Sequence, residues 1–159
     1  MRRKFSNIYS LLAVIILFGC NIIAQELKSL SFDKVIAENG LPSSSVDAFF
    51  KDSKGLMWIG TENGLCFFDG YKFHSFQNEP NNPNSITDNW ILSINEDNEG
   101  NIWIGTHNGG INKYNKKTNK FTNYKIEENS IANLKNNRVW TIYCDNGGSV
   151  FYGSSGGFN

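Results

Sequence analysis

Residues 55–70 read GLMWIGTENGLCFFDG, and residues 100–115 read GNIWIGTHNGGINKYN. Both stretches contain the tetrad Trp-Ile-Gly-Thr, and the second stretch begins 45 residues after the first. A weaker copy of the tetrad, Phe-Tyr-Gly-Ser, occupies residues 151–154, which is 48 residues after the second copy. Self-similarity at a nearly fixed period is the sequence signature of a repeat architecture. The sequence therefore predicts a repeat protein.

Several residues recur at fixed offsets from the aromatic residue that opens each tetrad. An Asp lies six residues before it, one Gly lies three residues before it, and a second Gly lies two residues after it. These repeat anchors are Asp52, Gly55, Trp58 and Gly60, then Asp97, Gly100, Trp103 and Gly105, then Asp145, Gly148, Phe151 and Gly153. An Asp that opens a turn accepts hydrogen bonds from the backbone ahead of it, and Gly supplies a positive φ. Each Asp-x-x-Gly therefore predicts a hairpin turn between two strands.

Short runs rich in β-branched and aromatic residues surround each turn. The first copy contains VDAFFKD, LMWIGT, LCFFDG and YKFHSF, and the second copy contains ILSINED, NIWIGT, INKYN and NKFTNY. Such runs favour strands. Four antiparallel strands in a repeat of this length are typical of a β-propeller blade. We predict an all-β fold, namely an incomplete β-propeller with a closing strand, two four-stranded blades and part of a third.

The predicted domain organisation has five parts. They are a signal peptide at 1–24, a closing outer strand with its connector at 25–39, blade 1 at 40–86, blade 2 at 87–131 and a partial blade 3 at 132–159. The closing strand itself is predicted at Leu30 to Ile36. A propeller ring needs about 4–8 blades, which is more than this chain supplies. We therefore expect the chain to be the N-terminal piece of a longer protein or the product of an interrupted gene.

The N-terminal residues carry the pattern of an export signal. Basic residues at 2–4 precede an apolar run at 11–18, as in secretory signal peptides. Cleavage after Ala24 is the favoured prediction, and lipidation of Cys20 in Leu-Phe-Gly-Cys is the alternative. A retained membrane anchor is a further alternative, but the apolar run is short for a hydrocarbon core of about 30 Å. The sequence predicts an exported protein.

The remaining composition indicates no particular chemistry. The formal net charge is zero, so no basic surface for nucleic acid is expected. Cys66 and Cys144 are predicted to be small buried apolar residues without a disulfide. His74 and His107 occupy non-equivalent positions in their repeats and lack partners at metal-ligand spacing, so we predict that both lie on the surface. No metal, cofactor or catalytic residue is predicted.

Two look-alike motifs also argue against an enzyme or a calcium site. The Asp-box of sialidase propellers places Gly two residues after Asp, whereas Asp52 and Gly55 are three apart, and no arginine cluster or tyrosine nucleophile is found. A propeller glycosidase is therefore the weaker alternative. The stretch 95–100 resembles the start of an EF-hand loop, but Thr106 stands where a bidentate Glu is needed. A solvated turn is the better interpretation.

Ligand-contacting residues should differ between blades while the framework stays the same. Ser45, Trp90 and Arg138 occupy one such variable position, just before the first strand of each blade. An aromatic face and a guanidinium at this position suit stacking on a sugar and hydrogen bonding to it. The alternative interpretation is that these side chains only cover the edge of a blade. Trp90 and Arg138 are the predicted ligand-binding candidates.

The stretches GLPSSSVDAFFKDSKGLMWIGTENGLCFFDG at 40–70 and SITDNWILSINEDNEGNIWIGTHNGGINKYN at 85–115 resemble the two-component regulator propeller repeat. The third copy departs from it at the tetrad but keeps the apolar and glycine positions. The resemblance, which covers about residues 30–159, implies the sensor region of a hybrid two-component histidine kinase.

The resemblance further implies a periplasmic location, an inner-membrane anchor in the parent protein and an oligosaccharide ligand. Its implied partners are the remaining blades and the kinase region of that parent protein, and a homodimer of the parent is compatible with it. The alternative is a secreted propeller that binds or scaffolds without a kinase.

Overall fold

The apolar runs and glycine turns form strands in a computed structural model, which describes residue 37, residues 40–124 and residues 137–158. The predicted signal peptide, Cys20 and the predicted closing strand lie outside these residues. The described part contains no α-helix, and none of its segments is a helix long and apolar enough to cross a membrane. The predicted all-β class is therefore confirmed.

The described strands form three antiparallel sheets, which we call blades 1, 2 and 3. Blade 1 has the order β1-β2-β3-β4, with β1 Val46–Lys51, β2 Met57–Thr61, β3 Gly64–Phe68 and β4 Phe73–Phe76. Blade 2 has the order β5-β6-β7-β8, with β5 Ile91–Glu96, β6 Ile102–Thr106, β7 Ile111–Asn115 and β8 Lys120–Tyr124. Blade 3 has the order β11-β10-β9, with β9 Val139–Cys144, β10 Val150–Ser154 and β11 Gly157–Phe158. The four-stranded blades predicted from the repeat are confirmed.

The strand register repeats from blade to blade. The anchor aromatic faces the residue eight positions before it on the preceding strand, in the pairs Phe50–Trp58, Asn95–Trp103 and Tyr143–Phe151. The register of this strand pair also shifts once in each blade, near the Gly and Thr or Ser of the tetrad. Such an irregularity adds local twist to the strand. The sequence repeat is therefore also a repeat of strand pairing.

Each Asp-x-x-Gly forms the predicted turn. In blade 1, one oxygen of Asp52 accepts hydrogen bonds from the N–H groups of Lys54 and Leu56, both at 2.9 Å. The other oxygen accepts from Trp58 Nε1 at 3.0 Å. Gly55 closes the turn at a φ of 87°, which an L side chain rarely adopts. One carboxylate thus fixes both the turn and the orientation of the indole.

The larger of two core clusters lies between blades 1 and 2 and contains a fully buried indole, and a smaller cluster of Ile111, Val139 and Ile142 joins blades 2 and 3. Trp58 is 0% exposed, and its ring lies 4.9 Å from Phe67 and 5.6 Å from Tyr114 of blade 2 between ring centroids. The tetrad glycine allows the blades to approach, because a Cβ at Gly60 would lie 2.6 Å from Ile91 Cγ2. Val139 of blade 3 lies against Gly105 of blade 2 in the same way, which gives a physical reason for the tetrad glycine to recur.

A buried ion cluster also joins the first two blades. Lys116 of blade 2 donates to Asp52 Oδ2 at 2.9 Å and to Glu96 Oε1 at 2.5 Å. Ser53 of blade 1 donates to Glu96 through both its N–H and its hydroxyl, at 2.7 and 3.0 Å. Burial alone would lower the pKa of Lys116, but the hydrogen bonds from its amine to Glu96 and Asp52 raise it. The charged side chains are therefore satisfied within the interface.

Candidate functional site

Each blade has two ends that differ in sequence. We call the end where β1, β5 and β9 begin the proximal end, and the end that carries the Asp-x-x-Gly turns the distal end. Because neighbouring strands are antiparallel, the β2–β3 and β6–β7 turns also lie at the proximal end. Backbone bonds join these turns to the strand starts: Glu62 N–H donates to Ser45 O at 3.3 Å, and His107 N–H donates to Trp90 O at 2.9 Å.

Trp90 is the centre of the proximal end. Its ring stacks on His107, with 4.1 Å between ring centroids and 7° between the planes. Its Nε1 donates to Asp47 Oδ2 of blade 1 at 2.8 Å. The indole is thus held on one side by a carboxylate from the neighbouring blade and on its face by an imidazole. These two contacts orient the ring.

Arg138 continues this arrangement into blade 3. Its Nη2 donates to Nε2 of His107, and its guanidinium carbon lies 5.1 Å from the ring centroid of Trp140. The structure therefore places the two sequence-predicted candidates, Trp90 and Arg138, on the same histidine. We call the set Asp47, Trp90, His107, Arg138 and Trp140 the proximal row. Ser45, the blade 1 counterpart of the two candidates, is outside this row, and its backbone carbonyl accepts from Glu62 N–H.

The Arg138–His107 contact fixes how the imidazole carries its proton. A guanidinium can only donate hydrogen bonds, so Nε2 of His107 must accept and the proton of the neutral ring lies on Nδ1. Nδ1 of His107 and Nε of Arg138 are both buried, and neither has a hydrogen-bond partner among the residues that the structure describes. The middle of the proximal row therefore contains two buried N–H groups without an acceptor among the described residues, whereas the carboxylate of Asp47 at its other end is exposed.

The sequence did not indicate the other members of the row. The sequence predicted only that His107 lies on the surface, and no sequence pattern indicated a role for Asp47 or Trp140. A usable signal does exist: His107 lies four residues after the anchor Trp103, where the other two copies have Glu62 and Ser155. That position varies between blades just as the Trp90 position does. The contacts of His107, however, depend on a residue 31 positions away.

The repeat anchors lie away from this row. Asp97 repeats the Asp52 turn, accepting from Asn101 N–H at 2.9 Å and from Trp103 Nε1 at 2.8 Å. Asp145 accepts from Ser149 N–H at 2.7 Å, and the third copy has Phe151 where the other copies have an indole that can donate to the Asp. Burial opposes ionisation of Asp97, but hydrogen bonds from Asn101 and Trp103 outweigh it and lower the pKa to about 2. The anchors serve turn geometry and packing.

The other polar constellations give no second centre. Among residues 40–124 and 137–158, no three His, Cys, Asp or Glu side chains are grouped to hold a metal. Cys66 and Cys144 are free thiols, and burial raises the pKa of each to about 11, so both are poor nucleophiles. His74 pairs with Asp69 at 2.7 Å and stacks on Phe67 within its own hairpin.

One groove of about 630 Å³ lies beside the connector between blades 1 and 2. It is lined by the connector residues 78–83 and 85–87 and by residues 121–123 of β8. Two of its polar side chains donate to the connector backbone, since Asn78 donates to Ile86 O at 2.7 Å and Asn123 donates to Ser85 O at 3.2 Å. Oδ1 of Asn123 is buried without a partner among the described residues. The two hydrogen bonds fix the shape of the connector, and none of the residues that line the groove is an arginine, a lysine or a tryptophan.

The chain matches a known repeat family at two places. The family described as "Two component regulator propeller" matches residues 40–63 and 85–108, which contain the first two tetrads. The resemblance predicted from the sequence is therefore confirmed. A curated relative, Histidine kinase P4 of Formosa agariphila, is 41% identical over 49 residues. That match covers 31% of this chain and 4% of the relative.

Solved structures show the same fold. One is the extracellular domain of a B. thetaiotaomicron protein described as a hybrid two component system; it has a TM-score of 0.65 and 26% identity over 80% of this chain. A second such domain from that organism has a TM-score of 0.58 and 30% identity over 72% of this chain. The chain spans 19% and 16% of these two domains. PorZ of Porphyromonas gingivalis, at 19% identity and a TM-score of 0.55, shares the fold alone.

Proposed function

We propose that this chain, which carries two copies of the two component regulator propeller repeat, belongs to the extracellular input module of a hybrid two-component signalling protein. The module recognises an oligosaccharide at its proximal end, and the parent protein passes this event to a kinase region. Support comes from the solved domains, which are described as extracellular parts of such systems. The chain itself contributes to recognition and performs no chemistry.

The proximal row is the observation that carries the recognition part of the proposal. A pyranose ring has an apolar face that stacks on aromatic rings, and its hydroxyl groups pair with carboxylate and guanidinium groups. The row offers Trp90 and Trp140 as aromatic surfaces, with Asp47 and Arg138 as the polar partners. Because Asp47 and His107 already fix the Trp90 ring, binding costs little side-chain entropy at this position.

The row also suggests how binding is communicated. Its members come from three blades: Asp47 from blade 1, Trp90 and His107 from blade 2, and Arg138 and Trp140 from blade 3. A ligand that contacts the whole row favours one arrangement of the three blades over others. A conformational signal requires such differential binding. The parent protein is anchored in the inner membrane with this module in the periplasm.

The proposal is tested by screening oligosaccharides against the full chain and two aromatic variants. Trp90→Ala removes the central ring of the row, whereas Tyr71→Ala removes a ring that is 95% exposed in the β3–β4 turn at the distal end. We expect a glycan ligand whose affinity falls about tenfold or more in Trp90→Ala, which corresponds to at least about 1.4 kcal/mol. Tyr71→Ala should leave that affinity unchanged.

Two results of this screen would contradict the proposal. The first is that no neutral or acidic oligosaccharide binds the folded chain at millimolar concentration. The second is that Trp90→Ala and Tyr71→Ala bind as the unmodified protein does. Circular dichroism of each variant establishes that a loss of binding is not a loss of fold.

A further inference from the structure

We infer that the middle of the proximal row, at Arg138 and His107, binds an oxyanion, so that the glycan recognised there is acidic. The oxyanion is a carboxylate or a sulfate group on the sugar. This inference rests on the proposed function and deepens it by naming the class of ligand. It is carried by the charge, the bonding and the unpaired donors of Arg138 and His107.

Arg138 is a cation without a counter-charge in the described part of the chain. It is the only arginine after residue 3. The ion pairs among the described residues involve His74, Lys113 and Lys116, and none of them includes Arg138. Its partners are a neutral imidazole and an indole face, which orient the guanidinium without neutralising it. A planar guanidinium held in this way suits bidentate binding of a carboxylate or sulfate.

The unpaired donors point to the same kind of ligand. Nε of Arg138 and Nδ1 of His107 are buried N–H groups that lack an acceptor among the described residues. A buried donor without a partner costs about 1–3 kcal/mol, so such groups are normally satisfied by an oxygen atom. An oxyanion presents several acceptor lone pairs on one small group, and it also supplies the charge that Arg138 lacks. A neutral hydroxyl would supply an acceptor oxygen but not the negative charge.

The two ends of the row carry opposite charges, negative at Asp47 and positive at Arg138, and this difference orients the ligand. Asp47 belongs to blade 1 and is exposed, and one of its oxygens accepts from Trp90 Nε1. Its negative charge repels an anion and attracts the hydroxyl donors of a sugar. The acidic group of the ligand is therefore directed to the blade 2–blade 3 side of the row, with neutral parts of the sugar over Trp90 and Asp47.

The inference is tested by calorimetric titration of the full chain with three tetrasaccharides. Tetragalacturonate carries carboxylates, a sulfated galactan tetrasaccharide carries sulfate esters, and cellotetraose is neutral. Arg138→Gln removes the guanidinium from the row, and Lys117→Gln is the matched control, because it removes one exposed positive charge from the β7–β8 turn at the distal end. Arg138→Lys keeps the charge but loses the planar set of donors.

We expect at least one acidic tetrasaccharide to bind more tightly than cellotetraose, and more weakly as salt is raised. Arg138→Gln should weaken the acidic ligand on the order of tenfold to a hundredfold, as expected for hydrogen bonds to a charged group. Arg138→Lys should give an intermediate affinity, and Lys117→Gln should change it little. Whether the uronate or the sulfated ligand binds identifies the source of the oxyanion.

Other outcomes separate this inference from the proposed function. Binding of cellotetraose that Trp90→Ala abolishes, without preference for either acidic ligand, would overturn the inference and leave the proposed function standing. Equal losses in Arg138→Gln and Lys117→Gln would show that only net charge matters and would also overturn it. If Arg138→Gln binds every ligand as tightly as the unmodified chain does, then water satisfies the unpaired N–H groups of Arg138 and His107, and the inference is overturned. Absence of binding by all three ligands and by the wider glycan screen would overturn both.

Discussion

The two ends of the blades follow opposite rules. At the distal end, Asp52 and Asp97 accept from the same backbone positions and from the same indole nitrogen, six residues ahead. At the proximal end, the equivalent positions hold Ser45, Trp90 and Arg138, and no two of them are alike. Between the two ends, the first two strands of each blade pair in the same register. One end therefore maintains the fold, and the other is where the blades differ.

The comparison shows why sequence repetition and function separate in this molecule. A blade must pack against a near-copy of itself, so residues at the turn and in the interface are constrained to recur. The residues just before the first strand of each blade are less constrained by this packing, and loop positions of this kind can vary while the fold is kept. Mutations at the two ends should therefore affect different properties. Three substitutions test this division, in decreasing order of their effect on stability.

The largest expected loss of stability comes from Trp58→Ala. The side chain is fully buried against Phe67, Phe76 and Tyr114, and its indole nitrogen satisfies Asp52. Removing it leaves a cavity between two blades, which costs about 3–5 kcal/mol for a buried aromatic residue. The free energy of unfolding from urea titration measures this loss. A loss below about 1 kcal/mol would show that the anchor residues do not hold the blades together.

An intermediate effect, dependent on pH, is expected from Asp97→Asn. Hydrogen bonds lower the folded pKa of Asp97 from an ordinary value of 3.8 to about 2 against the opposing effect of burial. A lowered folded pKa stabilises the protein above pH 4, and this stabilisation is lost as the pH falls from 4 towards 2. The difference between the two pKa values corresponds to about 2 kcal/mol.

The measurement compares the unfolding free energies of the unmodified chain and Asp97→Asn between pH 6 and pH 3. The gap between the two proteins should narrow by about 1 kcal/mol over this range, since roughly half of the stabilisation is lost by pH 3. If the difference in unfolding free energy stays constant with pH, the pKa of Asp97 is not lowered in the folded protein.

The smallest loss of stability is expected from Trp90→Ala. The ring is half-buried, stacks on one histidine and makes one hydrogen bond to an exposed carboxylate. Its removal should cost about 1 kcal/mol, typical of an aromatic pair near the surface. Urea unfolding of Trp90→Ala beside Trp58→Ala gives the direct comparison between the two ends. Equal losses of unfolding free energy in Trp90→Ala and Trp58→Ala would show that the proximal and distal ends do not differ in their contribution to stability.

The sequence predicted the strands and turns because these depend on local chemistry. Asp52 and Gly55 determine their turn within four residues, and the Trp-Ile-Gly-Thr tetrad marks a strand by composition alone. The sequence also identified Trp90 and Arg138 as residues that vary between blades. It could not show that they meet on His107, because that contact depends on how blades 2 and 3 pack.

The ion cluster shows the same limit. Lys116 is 64 residues from Asp52 in the sequence, and it satisfies that carboxylate only because blade 2 packs on blade 1. The repeat pattern does not predict this contact, because the β3–β4 turn of blade 1 has the same length but begins with Asp69 where the β7–β8 turn begins with Lys116. Local rules explain the blades, whereas contacts between blades require the three-dimensional structure.

The central claim, that recognition occurs at the proximal end and the distal end only maintains the fold, is tested most directly by NMR. The amide shifts of the ¹⁵N-labelled chain are followed during titration with the tightest-binding acidic tetrasaccharide. The account predicts that the perturbed amides cluster at residues 45–47, 62, 90, 107–108 and 138–140, with little change at the Asp-x-x-Gly turns. Perturbations centred on residues 52–56 and 97–101, with the proximal row unaffected, would contradict it.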